Sequence, residues 1–470
     1  MEIIGRLSEK EILRNCYESN RPEFLAVYGR RRVGKTFLIR EYFAKDLLFY
    51  FTGEASAENR RQLANFDEAL LDHGLPVDQS STDWHQAFSQ LKRLIQTSSE
   101  QKKVVFIDEL PWLAAPQNDF VQALEYFWNS WASAQPDLLL IICGSATSWI
   151  FDNIISEHGG LHNRVTRQIP LAPFSLGESE AFMQSRGIVY NRYQIAETYM
   201  VLGGVPYYLD YLESDFSPAQ NIDRMFFASN APLKREFNDL YRSLFQNPDN
   251  HIRVIEALGK RPSGLVRDEI IKETGISAGG RLSKTLIELE QCGFIQGQRE
   301  FTRRKNGKYY KLSDFFSRFY LRFLADRPED EHYWQNKSLR GEQLAWYGVT
   351  FEQLCAAHVG AIKQKLGISG VSTTVSAWRS KLSQPMAQID LVIDRADNII
   401  NLCEMKFSTK PFVIDKEYDM KLRERRETFR EETKTRKALH TTLVTTYGIS
   451  RNAYIGEVQS EVTLDDLFIM

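Results

Sequence analysis

At 470 residues the chain is longer than one hydrophobic core ordinarily serves, so two or three domains are expected. With 43% hydrophobic and 26% charged residues it is neither disordered nor of low complexity, and a formal net charge of -2 leaves nucleic-acid binding open, because 59 Lys and Arg can gather on one face. No apolar run approaches a membrane span of about 18 residues, and Cys16, Cys143, Cys292, Cys355 and Cys403 form no CxxC pair, which points away from zinc and toward buried thiols in a reducing, cytoplasmic setting.

The first informative stretch is an apolar strand, 23–28, followed at once by Gly29, Arg30, Arg31, Arg32, Val33, Gly34, Lys35 and Thr36 and then by a helical pattern. This is GxxxxGK[ST] in strand–loop–helix context, where backbone N–H groups and a helix N-terminus converge on phosphates. Lys35 is expected to reach the β and γ phosphates of a bound ATP, and the Thr36 hydroxyl to hold Mg²⁺. A second strand is expected at 47–52. A third, 103–109, ends in Asp108 and Glu109, with Asp108 placed to support Mg²⁺ and Glu109 to act as general base toward water. The run 138–147 is a further buried strand ending in small polar residues, of which Ser145 or Thr147 is a candidate sensor of the γ-phosphate. Alternation with helices predicts a parallel sheet covered on both faces, with all three motifs at the strands' carboxyl ends. Arg164, before an expected strand at 168–171, is either an arginine finger or a surface charge. Gly203, Gly204, Val205 and Pro206 read as a helix end and restart, serving as a hinge or as an ordinary turn.

The strings GRRRVGKT, VVFIDEL, CGSATSW and GGVP, in that order over about the first 230 residues, resemble the archaeal ATPase family, a branch of P-loop ATPases near the AAA+ and STAND groups. The resemblance implies an ATP-hydrolysing, AAA+-type domain, an appended winged helix and a C-terminal domain similar to restriction-type nucleases. It also implies homo-oligomers in which one subunit's arginine completes its neighbour's site.

Three short helices at 251–258, 265–274 and 277–291, then strands at 294–298 and 308–312 joined by a turn at Asn306 and Gly307, follow the order of a winged helix-turn-helix. The third helix would offer Arg281 and Lys284 to a DNA groove, and the wing Arg299, Arg303, Arg304, Lys305 and Lys308 to phosphates, or the unit packs only against its neighbours.

Beyond residue 340 the chemistry changes. A helix at 350–359 carries Glu352 on an otherwise apolar face, and strands are expected at 371–378, 387–393 and 399–407, then a helix at 416–437 and a strand at 441–446. Glu404 follows Asp390 by 14 residues, and Lys406, two further on, shares its strand face. Asp390 and Glu404, with Glu352, are candidate ligands of a hard cation, Mg²⁺ or Mn²⁺, and Lys406 a candidate to activate bound water. This spacing resembles the PD-(D/E)xK nuclease superfamily, although Gln388 and Ile389, with no proline, precede Asp390. The stretch 416–437 holds nine Lys and Arg against six Asp and Glu, a solvated ion-paired face or a phosphate-binding one.

The expected architecture is a multi-domain α/β protein: a P-loop ATPase core at 1–175, a helical lid at 176–245, a winged helix at 246–325 and a restriction-endonuclease-like domain at 340–470. The expected function is ATP-dependent action on DNA with a metal-dependent nuclease-like domain. The competing class is a nucleotide-dependent switch that binds DNA or protein and carries a silent nuclease fold.

Overall fold

The apolar runs near the N-terminus lie side by side as a parallel sheet. In the computed structural model the described residues are 2–77, 79–114, 118–156, 161–245, 247–301, 308–326, 330–337, 341–380 and 387–469. Gly159, Gly160, Arg303, Arg304, Lys305, Asn306 and Gly307 lie outside them. The chain divides into two units, 1–173 with 244–246, and 174–243 with 247–470.

In the first unit, strands β1 (Glu23–Tyr28), β2 (Leu47–Thr52), β3 (Lys103–Asp108), β4 (Leu138–Gly144) and β5 (Arg167–Pro170) form a sheet in the order β2-β3-β4-β1-β5. Every pairing is parallel. The strands are apolar without alternation because both faces are covered. Phe24 and Ala26 pack with Phe66, Trp84 and Trp128 on one side, while Leu25 and Val27 pack with Leu13, Ile39 and Phe43 on the other. At ~1.5–3 kcal/mol for each large apolar side chain fully buried, this double cover fixes the central strands most firmly. From β1 the chain crosses to the far edge and returns through β3 and β4. The carboxyl ends of β3, β4 and β1 therefore adjoin, which is where sheets of this kind bind ligands.

The second unit opens with helices Leu176–Ser185 and Arg192–Leu202, each started by a capping box, at Ser175 and Asn191. Gly203, at φ 68, closes the second helix, and the Phe174 N–H donates to the Gly204 carbonyl at 2.7 Å. Helices Asp249–Gly259, Arg267–Thr274 and Gly280–Gln291 follow. They accompany an antiparallel sheet of β6 (Leu265–Val266), β7 (Ile295–Arg299) and β8 (Lys308–Leu312), ordered β6-β8-β7 among the described residues. Leu265 and Val266 are thus strand rather than the helix start expected from sequence. They pair with Tyr310 and Tyr309, and the helix begins at Arg267 once the Glu269 carboxylate accepts the Val266 N–H at 2.9 Å.

Strands β9 (Thr373–Arg379), β10 (Gln388–Arg395), β11 (Ile399–Lys406), β12 (Ala438–Thr445) and β13 (Val458–Thr463) form the last sheet, ordered β13-β12-β11-β10-β9. The β9, β10 and β11 neighbours are antiparallel, and β11, β12 and β13 run parallel. The parallel step from β11 to β12 is carried by helix Lys416–Thr433, while helix Gly341–Ala357 packs on β11. Trp378, Ile389, Val392, Ile400, Leu402, Phe429 and Leu439 form its core, joined by Phe301. Apart from 244–246, the stretches expected as lid, winged helix and nuclease-like domain share this one unit. His358 helps tie them: its buried Nε2 accepts the Leu176 N–H at 3.0 Å.

Candidate functional site

The loop after β1 is anchored at both ends. Val33 is buried in the core, and its carbonyl accepts a bond from Arg6 at 3.2 Å. An ideal Cβ on Gly29, whose φ is 148°, would lie 2.2 Å from the Leu171 carbonyl oxygen, so only glycine lets the loop pass β5 this closely. At Gly34, φ 89°, a Cβ would point into open space. Arg32 also takes a left-handed φ, of 74°. Arg30 is buried, and Arg31 is exposed. Lys35, at the start of helix Lys35–Tyr42, is buried and donates to the Gly29 and Arg30 carbonyls at 3.0 and 2.9 Å. Its ammonium lies inside the loop's curl.

The carboxyl ends of β3 and β4 meet this loop. Thr36 Oγ1 donates to Asp108 Oδ2 at 2.6 Å, and the Glu109 N–H donates to Asp108 Oδ1 at 2.9 Å. Glu109 holds φ 49° and ψ 48°, a left-handed conformation that costs about 1–3 kcal/mol for a residue of this type. Ser145 Oγ lies 2.7 Å from each Glu109 carboxylate oxygen, so the strained turn is held from β4. Thr147 Oγ1 is buried with no hydrogen-bond partner among the described residues. Burial and the nearby Asp108 carboxylate push the Cys143 thiol well up, which leaves it inert.

These features fit a Mg²⁺-bound triphosphate. A hydroxyl and a carboxylate already touch, an ammonium sits within the loop and a buried hydroxyl lacks a partner. Arg164 is not brought to the loop. The Thr166 N–H donates to the Phe24 carbonyl at the start of β1, which puts Arg164 at the sheet's amino edge, about 20 Å of strand from Gly29. Its side chain is exposed at that edge, away from its own chain's phosphate loop. The Arg6 clamp was invisible in sequence, since the bond spans 27 residues.

In the second unit Glu352, Asp390, Glu404 and Lys406 line one polar cavity of about 70 Å³ with Gln388, Cys403, Met405 and Arg425. A bulge re-aims Asp390: the register of β10 on β9 shifts between Ile389 and Val392. Asp390 accepts Lys311 Nζ at 3.1 Å, and Glu404 accepts Arg425 at 2.5 Å and the Tyr418 hydroxyl at 3.4 Å. Burial first, then Asp390, raises the Glu352 carboxyl, with Lys311 and Lys406 opposing. Lys406 Nζ stands 5.3 Å from the Tyr418 ring centre and joins no hydrogen bond or ion pair among the described residues. No group of three or more His, Cys, Asp or Glu is disposed to hold a metal ion among the described residues. The expected set of Glu352, Asp390 and Glu404 shares a cavity, but its carboxylates are matched to cations of the chain, and as arranged they do not fit Mg²⁺ or Mn²⁺.

The expected basic surfaces are largely spent on ion pairs. Arg423 and Arg426 both pair with Glu457, and Arg430 reaches Glu427 at 4.0 Å, the ion-paired alternative for helix Lys416–Thr433. On the hairpin, Lys308 bonds Glu290 at 2.6 Å. Just after Arg299, the Phe301 N–H donates to the Ala377 carbonyl at 3.0 Å, with the Phe301 ring against Phe429. Arg281 and Lys284 are exposed on helix Gly280–Gln291, Lys284 lying 3.9 Å from Glu288.

Residues 4–212 match a family model described as an ATPase domain predominantly from Archaea. Over 360 residues the chain is 23% identical to Uncharacterized protein MJECL04 of Methanocaldococcus jannaschii, covering 75% of this chain and 76% of that protein. Among solved structures it is similar to the Walker-type ATPase PABY2304 of Pyrococcus abyssi, at 18% identity and TM-score 0.49, over 68% of this chain and 96% of that one. It is also similar to Cdc6p of Pyrobaculum aerophilum, at 12% identity and TM-score 0.32, over 65% and 89% of the two chains. No helix among the described residues is long and apolar enough to cross a membrane. The stretch matched by the family model contains the whole parallel sheet and its phosphate loop, and it is this N-terminal part of the chain that is similar to an ATPase domain.

Proposed function

We propose that the chain binds and hydrolyses ATP at the loop of residues 29–36 and uses the cycle to switch the state of a DNA-acting second unit. The observation that carries this reading is the joint placement of Thr36 on Asp108 and of Ser145 on Glu109. Bound Mg²⁺ supplies neutralisation of the β and γ oxygens. Thr36 and Asp108 are the residues to hold it, Lys35 turns from the loop carbonyls to the phosphates, and Glu109 accepts a proton from the attacking water. Ser145, bonded to the Glu109 carboxylate, orients that base and relates it to the end of β4. Glu109→Gln is expected to bind ATP with unchanged affinity and to lose turnover by about 10²–10⁴-fold, the usual worth of a general base. Binding titration and phosphate-release assays on the same preparation check this. Turnover within threefold of the parent excludes the assignment.

DNA contact rests on helix Gly280–Gln291, whose exposed Arg281 and Lys284 beside a three-stranded antiparallel sheet support the winged-helix reading. Replacing both residues by alanine is expected to weaken DNA binding and to lower the slope of log affinity against log salt by about two, one phosphate contact each. Fluorescence anisotropy over a salt series measures it; an unchanged slope removes this helix from the interface.

A nuclease-like reading of 340–470 is favoured by one cavity that gathers Glu352, Asp390, Glu404 and Lys406 beside β10 and β11. Because Asp390 and Glu404 are matched to Lys311 and Arg425, the proposed resting state is silent, and nucleotide or DNA binding is what alters it. Linear, circular and single-stranded DNA incubated with the intact protein and with Lys406→Ala distinguish the outcomes. Cleavage lost in the variant marks an active site, and no cleavage by either marks a switch with a silent fold.

A further inference from the structure

Three carboxyl groups, Glu352, Asp390 and Glu404, in a half-buried cavity need counter-charge, since a carboxylate left unmatched away from water is strongly destabilising. Here the counter-charge comes from the chain. Lys311 and Asp390 are only 19% and 20% exposed and lie 3.1 Å apart, Arg425 covers Glu404, and Lys406 adds a third cation to the cavity wall. Arg318, fully buried nearby, is a fourth, its guanidinium pulled down to about 10 by burial against the pull of Glu352.

Lys311 is not a stray surface side chain. It lies on β8, the last strand of the 265–312 sheet, and the residues just after it are fastened to the neighbourhood of Glu352. The Leu312 carbonyl accepts Arg318 at 2.7 Å, the Ser313 carbonyl accepts Gln353 at 2.5 Å, and Arg318 in turn donates to Gln353 at 2.6 Å. Its position beside Asp390 is therefore set by side-chain bonds to the carbonyls at and just after the end of its strand, and Lys311 ties the preceding three-stranded sheet to a residue of the C-terminal cavity.

We propose that Lys311 is a resident cation that occupies Asp390 in place of a divalent metal, so that the cavity excludes Mg²⁺ and Mn²⁺ while β8 stays seated. A divalent ion would have to displace an ammonium already paired with Asp390, in a cavity whose wall also carries Arg425 and Lys406, and like charge at this range disfavours it. The seat of β8 then decides whether the carboxylates are open, which links the helical and hairpin part of the second unit to its last sheet. This rests on the nuclease-like reading only in the identity of the cavity; whether the cavity cuts DNA is separate.

The test is Mn²⁺ binding to the intact, nucleotide-free chain, followed by calorimetry and by loss of the free-ion electron paramagnetic resonance signal. Parent protein, Lys311→Ala, Lys311→Met, Asp390→Asn and the Lys311→Ala, Asp390→Asn double variant are compared. Removing the lysine charge is expected to tighten Mn²⁺ binding by about tenfold or more, the scale of losing one close opposing charge, and Asp390→Asn is expected to cancel the gain. Lys311→Met keeps the stem packed, so it gives the same reading where the alanine variant is unstable. Parent protein that binds Mn²⁺ in an Asp390-dependent way overturns the proposal, as does a lysine variant that gains nothing. A lysine variant that gains Mn²⁺ but leaves DNA intact supports the proposal and favours the switch with a silent fold.

Discussion

Lys35→Ala is expected to abolish measurable ATP turnover, with a loss of at least about 10²–10³-fold from one missing charged donor to the phosphates, together with weakened ATP affinity. The lysine is buried at the mouth of helix Lys35–Tyr42, and its only hydrogen bonds among the described residues go to the carbonyls of Gly29 and Arg30. An ammonium held by two carbonyls in a loop bounded by left-handed glycines is poised for a stronger anionic partner. Removal frees those carbonyls without opening the core, so the variant is expected to unfold within a few degrees of the parent. A phosphate-release assay with a thermal melt checks both halves, and lost activity with an unchanged melt separates a phosphate contact from a structural one.

Gly29→Ala is the second large effect, and it acts on stability. The added methyl would sit 2.2 Å from the Leu171 oxygen, and the Leu171 N–H is itself bonded to the Tyr28 carbonyl at 2.7 Å. Backbone meets backbone there, so no rotamer relieves the clash. β5 has to part from β1, or the loop has to be rebuilt. A cost of about 3–5 kcal/mol is expected, in the range that unfolds marginal domains, and denaturant unfolding of the first unit's signal measures it. Gly34→Ala differs in kind: its Cβ would point into open space, so it should cost less in stability and more in ATP affinity.

Strands β1 and β2 were legible from the sequence to the residue and β3 to within one, Glu109 leaving the strand for a left-handed turn, because strands buried on both faces read as unbroken apolar runs ended by polar or glycine-rich turns. The phosphate loop was legible for the same reason, its consensus lying between such a strand and a helix. β4 stops at Gly144, short of the expected 147. Ser145 and Thr147 leave the sheet for the site, and a small polar tail on a strand does not declare where pairing ends. β6 was missed because two residues carry no period, and only the pairing of Leu265 with Tyr310 makes them strand. β13 was missed because Val458–Thr463 is mostly polar, and it is held as an edge by parallel pairing with β12.

At the candidate sites the types of residue could be read, but the partners could not. Asp390, Glu404 and Lys406 stood out by spacing, yet the bulge that turns Asp390 and the Lys311 that meets it come from strand register and from a contact 79 residues away. Arg6 reaches the phosphate loop in the same long-range way. Arg164 shows the converse: its place between the motif after β4 and the next strand suggested a role at the nucleotide, while the parallel register of β5 on β1 sends it to the opposite edge. Sequence order gives neighbours along the chain, and a parallel sheet separates the two ends of each strand by its full length.

The central claim is that Lys35, Thr36 and Asp108 together form one Mg²⁺-dependent ATP site. Equilibrium titration of a non-hydrolysable fluorescent ATP analogue into the intact chain, with Mg²⁺ and then with chelator, measures it directly. One analogue bound per chain, weakened by chelator and by Thr36→Ala or Asp108→Ala, is the predicted result. Undetectable binding at millimolar analogue, or binding equal in the parent and all three of Lys35→Ala, Thr36→Ala and Asp108→Ala, would contradict it.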